Sequence, residues 1–211
     1  MSLVGVIDFE TTGLSPAMGD RATEIAIVMT ENGKVVARFQ SLMNAGVRIP
    51  PFIEQYTGIS NEMIRTAPPA ADVMAQALRF VDGAPLVAHN ASFDRRFWCS
   101  ELDRLGPDKN QDHSFACTML LSRRLYPQAG SYRLQSLASF HALPAAGRAH
   151  RAMADAEVAA ALLSRIRDDI QREYRVDAAP HDLLVKLQRT QRKALPKAIQ
   201  SYFQATTPLT S

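Results

Sequence analysis

Leu3-Val4-Gly5-Val6-Ile7-Asp8-Phe9-Glu10-Thr11-Thr12-Gly13-Leu14 opens the chain with an apolar, β-branched run that ends on two carboxylates. Leu3 to Phe9 reads as a buried strand, and Thr11-Thr12-Gly13-Leu14-Ser15-Pro16 turns it into a loop. Side chains alternate faces along a strand, so Asp8 and Glu10, two apart, point to the same side. Two acids side by side at the end of an apolar strand repel each other, and at least one tends to protonate. A bound divalent cation removes that conflict, and hard oxygen ligands suit Mg²⁺ or Mn²⁺. A strand end turning into solvent carries the same pair, so the pair by itself decides nothing.

The flanking segments set the fold class. Glu24 to Thr30 and Val35 to Leu42 read as two further strands, and Asn32-Gly33 between them is a hairpin signal. The chain therefore opens as a three-stranded antiparallel meander. After Pro50-Pro51 come short helical pieces through Arg65, then a helix over 70–81, a short strand over 85–88 and a helix over 92–105 closed by Gly106-Pro107. A strand at 114–117, a helix at 118–126, a short helix at 134–140 and a long helix from Arg151 to about Arg175 complete the body. A hairpin followed by alternating strands and helices predicts an α/β fold, a mixed five-stranded sheet flanked by helices. Residues 1–175 form this domain. Pro180 sets off a helical segment around His181–Leu195, so 176–211 reads as a basic helical extension.

With 211 residues, 46% apolar and 21% charged, the chain can bury a core without disulfides or a structural metal. Cys99 and Cys117 cannot make a four-cysteine zinc site, and they read as free thiols in a reducing compartment. The start lacks a basic leader, and no uncharged apolar stretch approaches about 18 residues. The expectation is a soluble, cytoplasmic protein with no membrane partner. The net charge is +3 but uneven: residues 186–211 hold Lys186, Arg189, Arg192, Lys193 and Lys197 and no acid, leaving 19 cations against 21 acids in 1–185. A basic tail on a near-neutral body suits a polyanion or an acidic protein partner, or is a solvated helix face.

Two more segments carry chemistry. In Leu86-Val87-Ala88-His89-Asn90-Ala91-Ser92-Phe93-Asp94 a buried strand ends in a polar turn, with Asp94 in the first turn of the next helix. An acid there suits the helix dipole, and open α/β sheets also bind ligands beyond the carboxyl ends of their strands. In His150-Arg151-Ala152-Met153-Ala154-Asp155-Ala156 the histidine and the acid are five apart. Five residues turn a helix by about 140°, so the two cannot face one point from a continuous helix. Asp155 then belongs to the first turn and His150 to the preceding loop, where an imidazole can accept a proton near neutral pH.

Taken together, Asp8-Phe9-Glu10-Thr11-Thr12-Gly13-Leu14, Ala88-His89-Asn90-Ala91-Ser92-Phe93-Asp94 and His150-Arg151-Ala152 through Asp155-Ala156 resemble the DnaQ-like (DEDDh) 3′–5′ exonucleases, in the family's order over roughly residues 1–170. The DNA polymerase III epsilon-subunit and exonuclease X types are the nearest in kind. Tyr56-Thr57-Gly58-Ile59-Ser60 also looks like a family segment, although many members have histidine where Thr57 stands. The resemblance implies a ribonuclease-H-like fold and two Mg²⁺ (or Mn²⁺) ions held by Asp8, Glu10, Asp94 and Asp155, with His150 as general base. The tyrosine form of the family has its tyrosine four residues before the last acid, and here Arg151 stands there. It further implies substrate contacts from Thr11, Thr12 and Leu14, with Asn90 and Phe93 beside the same pocket. His89 matches no catalytic position and reads as structural, and Glu24 reads as an acid behind the metal ligands.

The function so implied is metal-dependent 3′–5′ removal of nucleoside 5′-monophosphates from single-stranded DNA ends, in proofreading or repair. The partner is single-stranded nucleic acid, because a terminal base must be splayed and stacked, and DNA is put ahead of RNA. A polymerase subunit or clamp is a further candidate through residues 183–200. RNA 3′-end trimming and a non-catalytic binding module of the same fold are the alternatives. Asp8 to Thr12 also resembles the start of haloacid-dehalogenase-type phosphatases, but the second acid is glutamate and the opening strands form an antiparallel hairpin.

Overall fold

A computed structural model describes residues 3–106, 109, 113–144 and 151–206 of the chain. The sheet runs β3-β2-β1-β4-β5. Its strands are β1 (Val4–Thr11), β2 (Ala22–Glu31), β3 (Lys34–Leu42), β4 (Leu86–Ala88) and β5 (Phe115–Cys117). The first three are antiparallel, whereas β4 is parallel to β1 and β5 to β4. This is the mixed sheet with an antiparallel opening that the sequence predicts, in the ribonuclease-H-like arrangement. The β2–β3 turn places Asn32 at φ 55° and Gly33 at φ 76°, the left-handed pair an Asn-Gly hairpin requires.

Helices α1 (Pro51–Thr57), α2 (Asn61–Arg65) and α3 (Ala70–Val81) lead from β3 to β4, and α4 (Ser92–Asp103) crosses from β4 to β5. Then come α5 (Thr118–Leu125), α6 (Leu134–Phe140), α7 (Ala152–Tyr174), α8 (His181–Arg189) and α9 (Leu195–Thr206). Strand parity divides the core. Val4 and Val6 of β1 and Ala26 and Val28 of β2 pack with Ala156, Ala159, Leu163 and Ile166 of α7. Ile7 and Phe9, with Ile25, Ile27 and Met29, face the opposite layer, Val73, Met74 and Ala77 of α3 and Phe97, Trp98 and Leu102 of α4. β2 is covered on both faces and reads as an unbroken buried run rather than an alternating one.

Two expectations need adjustment. β1 extends past Phe9, because Glu10 pairs with Glu24 and Thr11 with Ala22 across a bulge that skips Thr23. Bulges of this kind re-aim side chains at a strand end. The segment expected as one helix over 181–195 breaks after Arg189, where α8 ends, and a new helix, α9, starts at Leu195 with Pro196 in its first turn, the place in a helix that tolerates proline. α8, in the basic helical extension, packs on the domain. Leu183, Leu184 and Leu187 are buried in the same core as α7, with Leu195 and Ile199 following. Gln188 then caps the sheet edge: its Oε1 accepts from Cys117 N at 2.6 Å and its Nε2 donates to Phe115 O at 3.1 Å. A side-chain amide thus takes the place of a sixth strand over this edge. Cys99 and Cys117 are free thiols, as expected. No helix among the described residues is long and apolar enough to cross a membrane.

Candidate active site

The parity that sends Val4 and Val6 toward α7 sends Asp8 and Glu10 there too, at the carboxyl end of β1. Asp155, in the first turn of α7, meets them: oxygens of Asp8, Glu10 and Asp155 all lie within 4.8 Å of one another. Asp94 arrives from α4, in the opposite layer, and reaches the group around the end of the sheet. There its Oδ1 accepts the Phe9 backbone N–H at 3.2 Å. The four acids that the sequence separates by 147 positions, from Asp8 to Asp155, line one cavity of about 380 Å³.

The electrostatics are those of buried, mutually repelling acids. Burial pushes the Asp8 carboxyl well above the usual carboxylate range, and Asp94, Glu10, Asp155 and Glu24 push it further. Burial, then Asp155 and Glu24, raises Glu10 to about 8, with Arg151 pulling the other way. Asp94 is also raised by burial, against its backbone hydrogen bonds. The Asp8 and Glu10 side chains have no hydrogen-bond or ion-pair partner among the described residues. Crowded, unpartnered carboxylate oxygens opening on one cavity fit a hard divalent cation, which would supply the missing positive charge.

The surroundings hold this group in place. Glu24 is 1% exposed and opposite Glu10 in register. It accepts from Arg151 Nη2 at 2.9 Å and Nε at 3.2 Å, from the Ala152 N–H at 3.2 Å and from Gln40 at 2.8 Å. The start of α7, which carries Asp155, is thereby pinned to β2. Gln135 of α6 donates to Asp155 Oδ1 at 3.0 Å. His150, the expected base, lies outside the described residues.

The expected substrate residues separate. Leu14, 78% exposed, Thr11 and the half-buried Phe93 line the acid cavity. Thr12 is turned inward, where its hydroxyl accepts the Arg21 N–H at 3.0 Å. Asn90, at φ 66°, lines an adjoining cavity instead. A Cβ at Gly13 would lie 2.4 Å from Asp20 Oδ1, so a side chain there would displace the Asp20 carboxylate, which closes the loop by accepting the Ser15 N–H at 2.9 Å. His89 is structural. Tyr132 O accepts a hydrogen bond from Nε2 at 2.9 Å, so Nε2 carries the proton and Nδ1 accepts from Thr118 Oγ1 at 2.9 Å. Burial holds its pKa down at about 4.

Three contributors escape sequence reasoning. Phe52 and Tyr56, four apart on α1, are exposed aromatics on the wall of the acid cavity. Their signal is two large rings on one face of a short helix. Gln135 leaves no sequence signal, since a glutamine on a short helix is ordinary. The Glu24–Arg151 pair is invisible because 127 residues separate its members.

A ribonuclease-H-like sheet with acids gathered at the carboxyl ends of two central parallel strands is the frame of a nuclease. The exonuclease (RNase T) family model matches residues 6–163, and the chain belongs to this family, that of the nuclease-type phosphodiester hydrolases. It is 38% identical over 184 residues to the 3′–5′ exonuclease DinG of Bacillus subtilis, covering 87% of this chain and 19% of that protein. It is 40% identical over 134 residues to a DNA polymerase III subunit epsilon-like protein of Rhodobacter capsulatus, covering 63% of this chain and 19% of that one. The chain thus spans about a fifth of these relatives. Among solved structures it is similar to exonuclease X in complex with 5′-overhanging duplex DNA, at 28% identity and TM-score 0.68, over 88% of this chain and 99% of that one. Escherichia coli exonuclease I bound to a dT13 oligonucleotide shares the fold, at 20% identity and TM-score 0.68, over 83% of this chain and 43% of that one.

Proposed function

We propose that the chain is a divalent-metal-dependent exonuclease domain that removes nucleoside 5′-monophosphates from the 3′ ends of single-stranded DNA. The observation that carries this is the convergence of Asp8, Glu10 and Asp155 to within 4.8 Å, with Asp94 on the same cavity. These four carboxylates hold the metal, two Mg²⁺ or Mn²⁺ ions. When bound, such ions make a coordinated water acidic and offset the charge on the departing 3′ oxygen. His150 accepts the proton of the attacking water, a role supported by its position in the sequence five residues before Asp155. Leu14, Phe52 and Tyr56 give the cavity an apolar rim suited to an unstacked terminal base, which favours single strands over duplex.

The direction of attack is supported by the relative named as a 3′–5′ exonuclease, and DNA as substrate by the neighbour solved with duplex DNA. The epsilon-like DNA polymerase III relative supports a proofreading or repair setting. Lys186, Arg189, Arg192, Lys193 and Lys197 are all exposed, while the leucines of α8 are buried. A polymerase, clamp or nucleic-acid partner of residues 183–200 would therefore meet this cationic face.

The test is a degradation assay on matched DNA and RNA oligonucleotides labelled at either end, with Mg²⁺ and with EDTA. Stepwise loss from the 3′ end of DNA, abolished by EDTA and by Asp8→Asn, is expected. Preference for RNA would make the domain a 3′-end trimming ribonuclease. A shifted but uncut substrate would make it a binding module.

A further inference from the structure

The acid cavity opens into a larger one of about 850 Å³, and the two share Tyr56, His89 and Asp155. The character of the wall changes across that seam. On the far side stand the exposed guanidiniums of Arg123 on α5 and Arg133 just before α6, with Tyr132 between them in sequence and Asn90 opposite. Neither arginine has an acidic partner among the described residues. The Tyr56 side chain lines both cavities; partial burial, then the nearby Glu10 and Asp155, push its phenol up and Arg133 pulls it down.

Arg123 is also preorganised. Its guanidinium carbon lies 5.7 Å from the centroid of the Tyr132 ring. Tyr132 is held at side chain and main chain, by its hydroxyl donating to Tyr126 O at 3.1 Å and by its backbone carbonyl accepting from His89 at 2.9 Å. His89 thus anchors the strand-side wall of this trough rather than the reaction.

A phosphodiester chain is repelled by the acid group everywhere except where metal compensates it. A strand whose last linkage lies at the acids needs its next phosphates in positive surroundings, and this trough supplies two unpaired guanidiniums beside the site. We propose that the trough lined by Arg123, Tyr132 and Arg133 binds the strand immediately 5′ of the scissile bond, with the two arginines on its phosphates. The inference rests on the nuclease reading above and adds to it a second subsite, one that makes affinity grow with strand length.

The experiment compares two substrates. One is a single-stranded dT oligonucleotide. The other is the p-nitrophenyl ester of thymidine 5′-monophosphate, in which p-nitrophenol replaces the upstream strand and leaves the trough vacant. In Arg123→Gln and Arg133→Gln, KM for the oligonucleotide should rise about tenfold each with kcat little changed, and the slope of log KM against log salt should fall by about 0.7 per arginine. Both constants for the ester should stay within about twofold of wild type. An oligonucleotide KM unchanged in the double variant overturns the proposal. So does parallel loss on both substrates, which would give the arginines a structural role. Wild-type protein that cleaves neither substrate overturns the nuclease reading itself, and this inference with it.

Discussion

Arg151 and Glu24 form a two-pronged ion pair, Nη2 to Oε1 at 2.9 Å and Nε to Oε2 at 3.2 Å, across 127 residues of sequence. The pair joins β2 to the first turn of α7 and sits directly behind the Asp8–Glu10–Asp155 group. Arg151 is therefore placed to do two things. It holds the helix that presents Asp155, and it is the cation that lowers Glu10 against the surrounding acids.

Glu24→Ala leaves a partly buried guanidinium and the Ala152 N–H without their acceptor. It should destabilise the fold by about 2–3 kcal/mol, less than the roughly 3–5 kcal/mol for breaking a fully buried pair because Arg151 keeps some contact with water. Urea unfolding with an unchanged m-value checks this. A change below about 0.5 kcal/mol, a surface-pair value, would show that the pin is dispensable.

Metal should stabilise the protein more as pH rises. Glu10 has a folded pKa of about 8 against 4.5 when unfolded, so the folded state binds more protons than the unfolded one between those values. Stability of the metal-free protein is accordingly lost as pH rises through this window, and Asp8 and Asp94, both raised, act in the same sense. A cation competes with those protons. The gain in Tm on adding Mg²⁺ over EDTA is expected to be small at pH 5 and larger at pH 8. A gain independent of pH would place the ion away from these carboxylates.

His89 should stay neutral well into the acid range. Its folded pKa of about 4 lies below the unfolded 6.5, so its contribution to stability is present above 6.5 and is lost as pH falls toward 4. Ring resonances of His89 followed by NMR should not titrate above pH 5. A midpoint near 6.5 would mean that the bridge from Thr118 to Tyr132 is not formed in solution.

Gln135→Leu removes the donor on Asp155 Oδ1 without emptying the core, since Gln135 is exposed. The Mg²⁺ concentration for half-maximal activity should rise about tenfold, the low end for groups that orient a metal ligand, with the unfolding midpoint nearly unchanged. Equal Mg²⁺ curves for variant and wild type would show that Asp155 is oriented without it.

Gln188→Leu strips the edge of β5 of both its partners, Cys117 N and Phe115 O. A cost of about 2–4 kcal/mol is expected for two orphaned backbone groups. A chain ending at residue 175 loses that cap together with Leu183, Leu184 and Leu187, and should unfold without a cooperative transition. A cooperative melt of the shortened chain would show that α8 and α9 are accessory.

Much of this is written in local sequence. Hairpin chemistry at Asn32-Gly33, period-2 alternation through Asp8 and Glu10, and the apolar periodicity of α4 and α7 are short-range signals, and they suffice for the mixed sheet and for the elements that carry all four acids. What they do not contain is distance. That Asp94 comes from the opposite layer and enters the group by taking the Phe9 N–H depends on how α4 packs on the sheet. That Glu24 meets Arg151, that Gln135 reaches Asp155 and that Gln188 replaces a strand at the edge of β5 depends on side chains brought together across 20 to 127 residues. Periodicity along a chain reports which face a residue occupies. Only the packed layers decide which residue of another element stands across from it, and in this protein that decision turns a row of acids into a site.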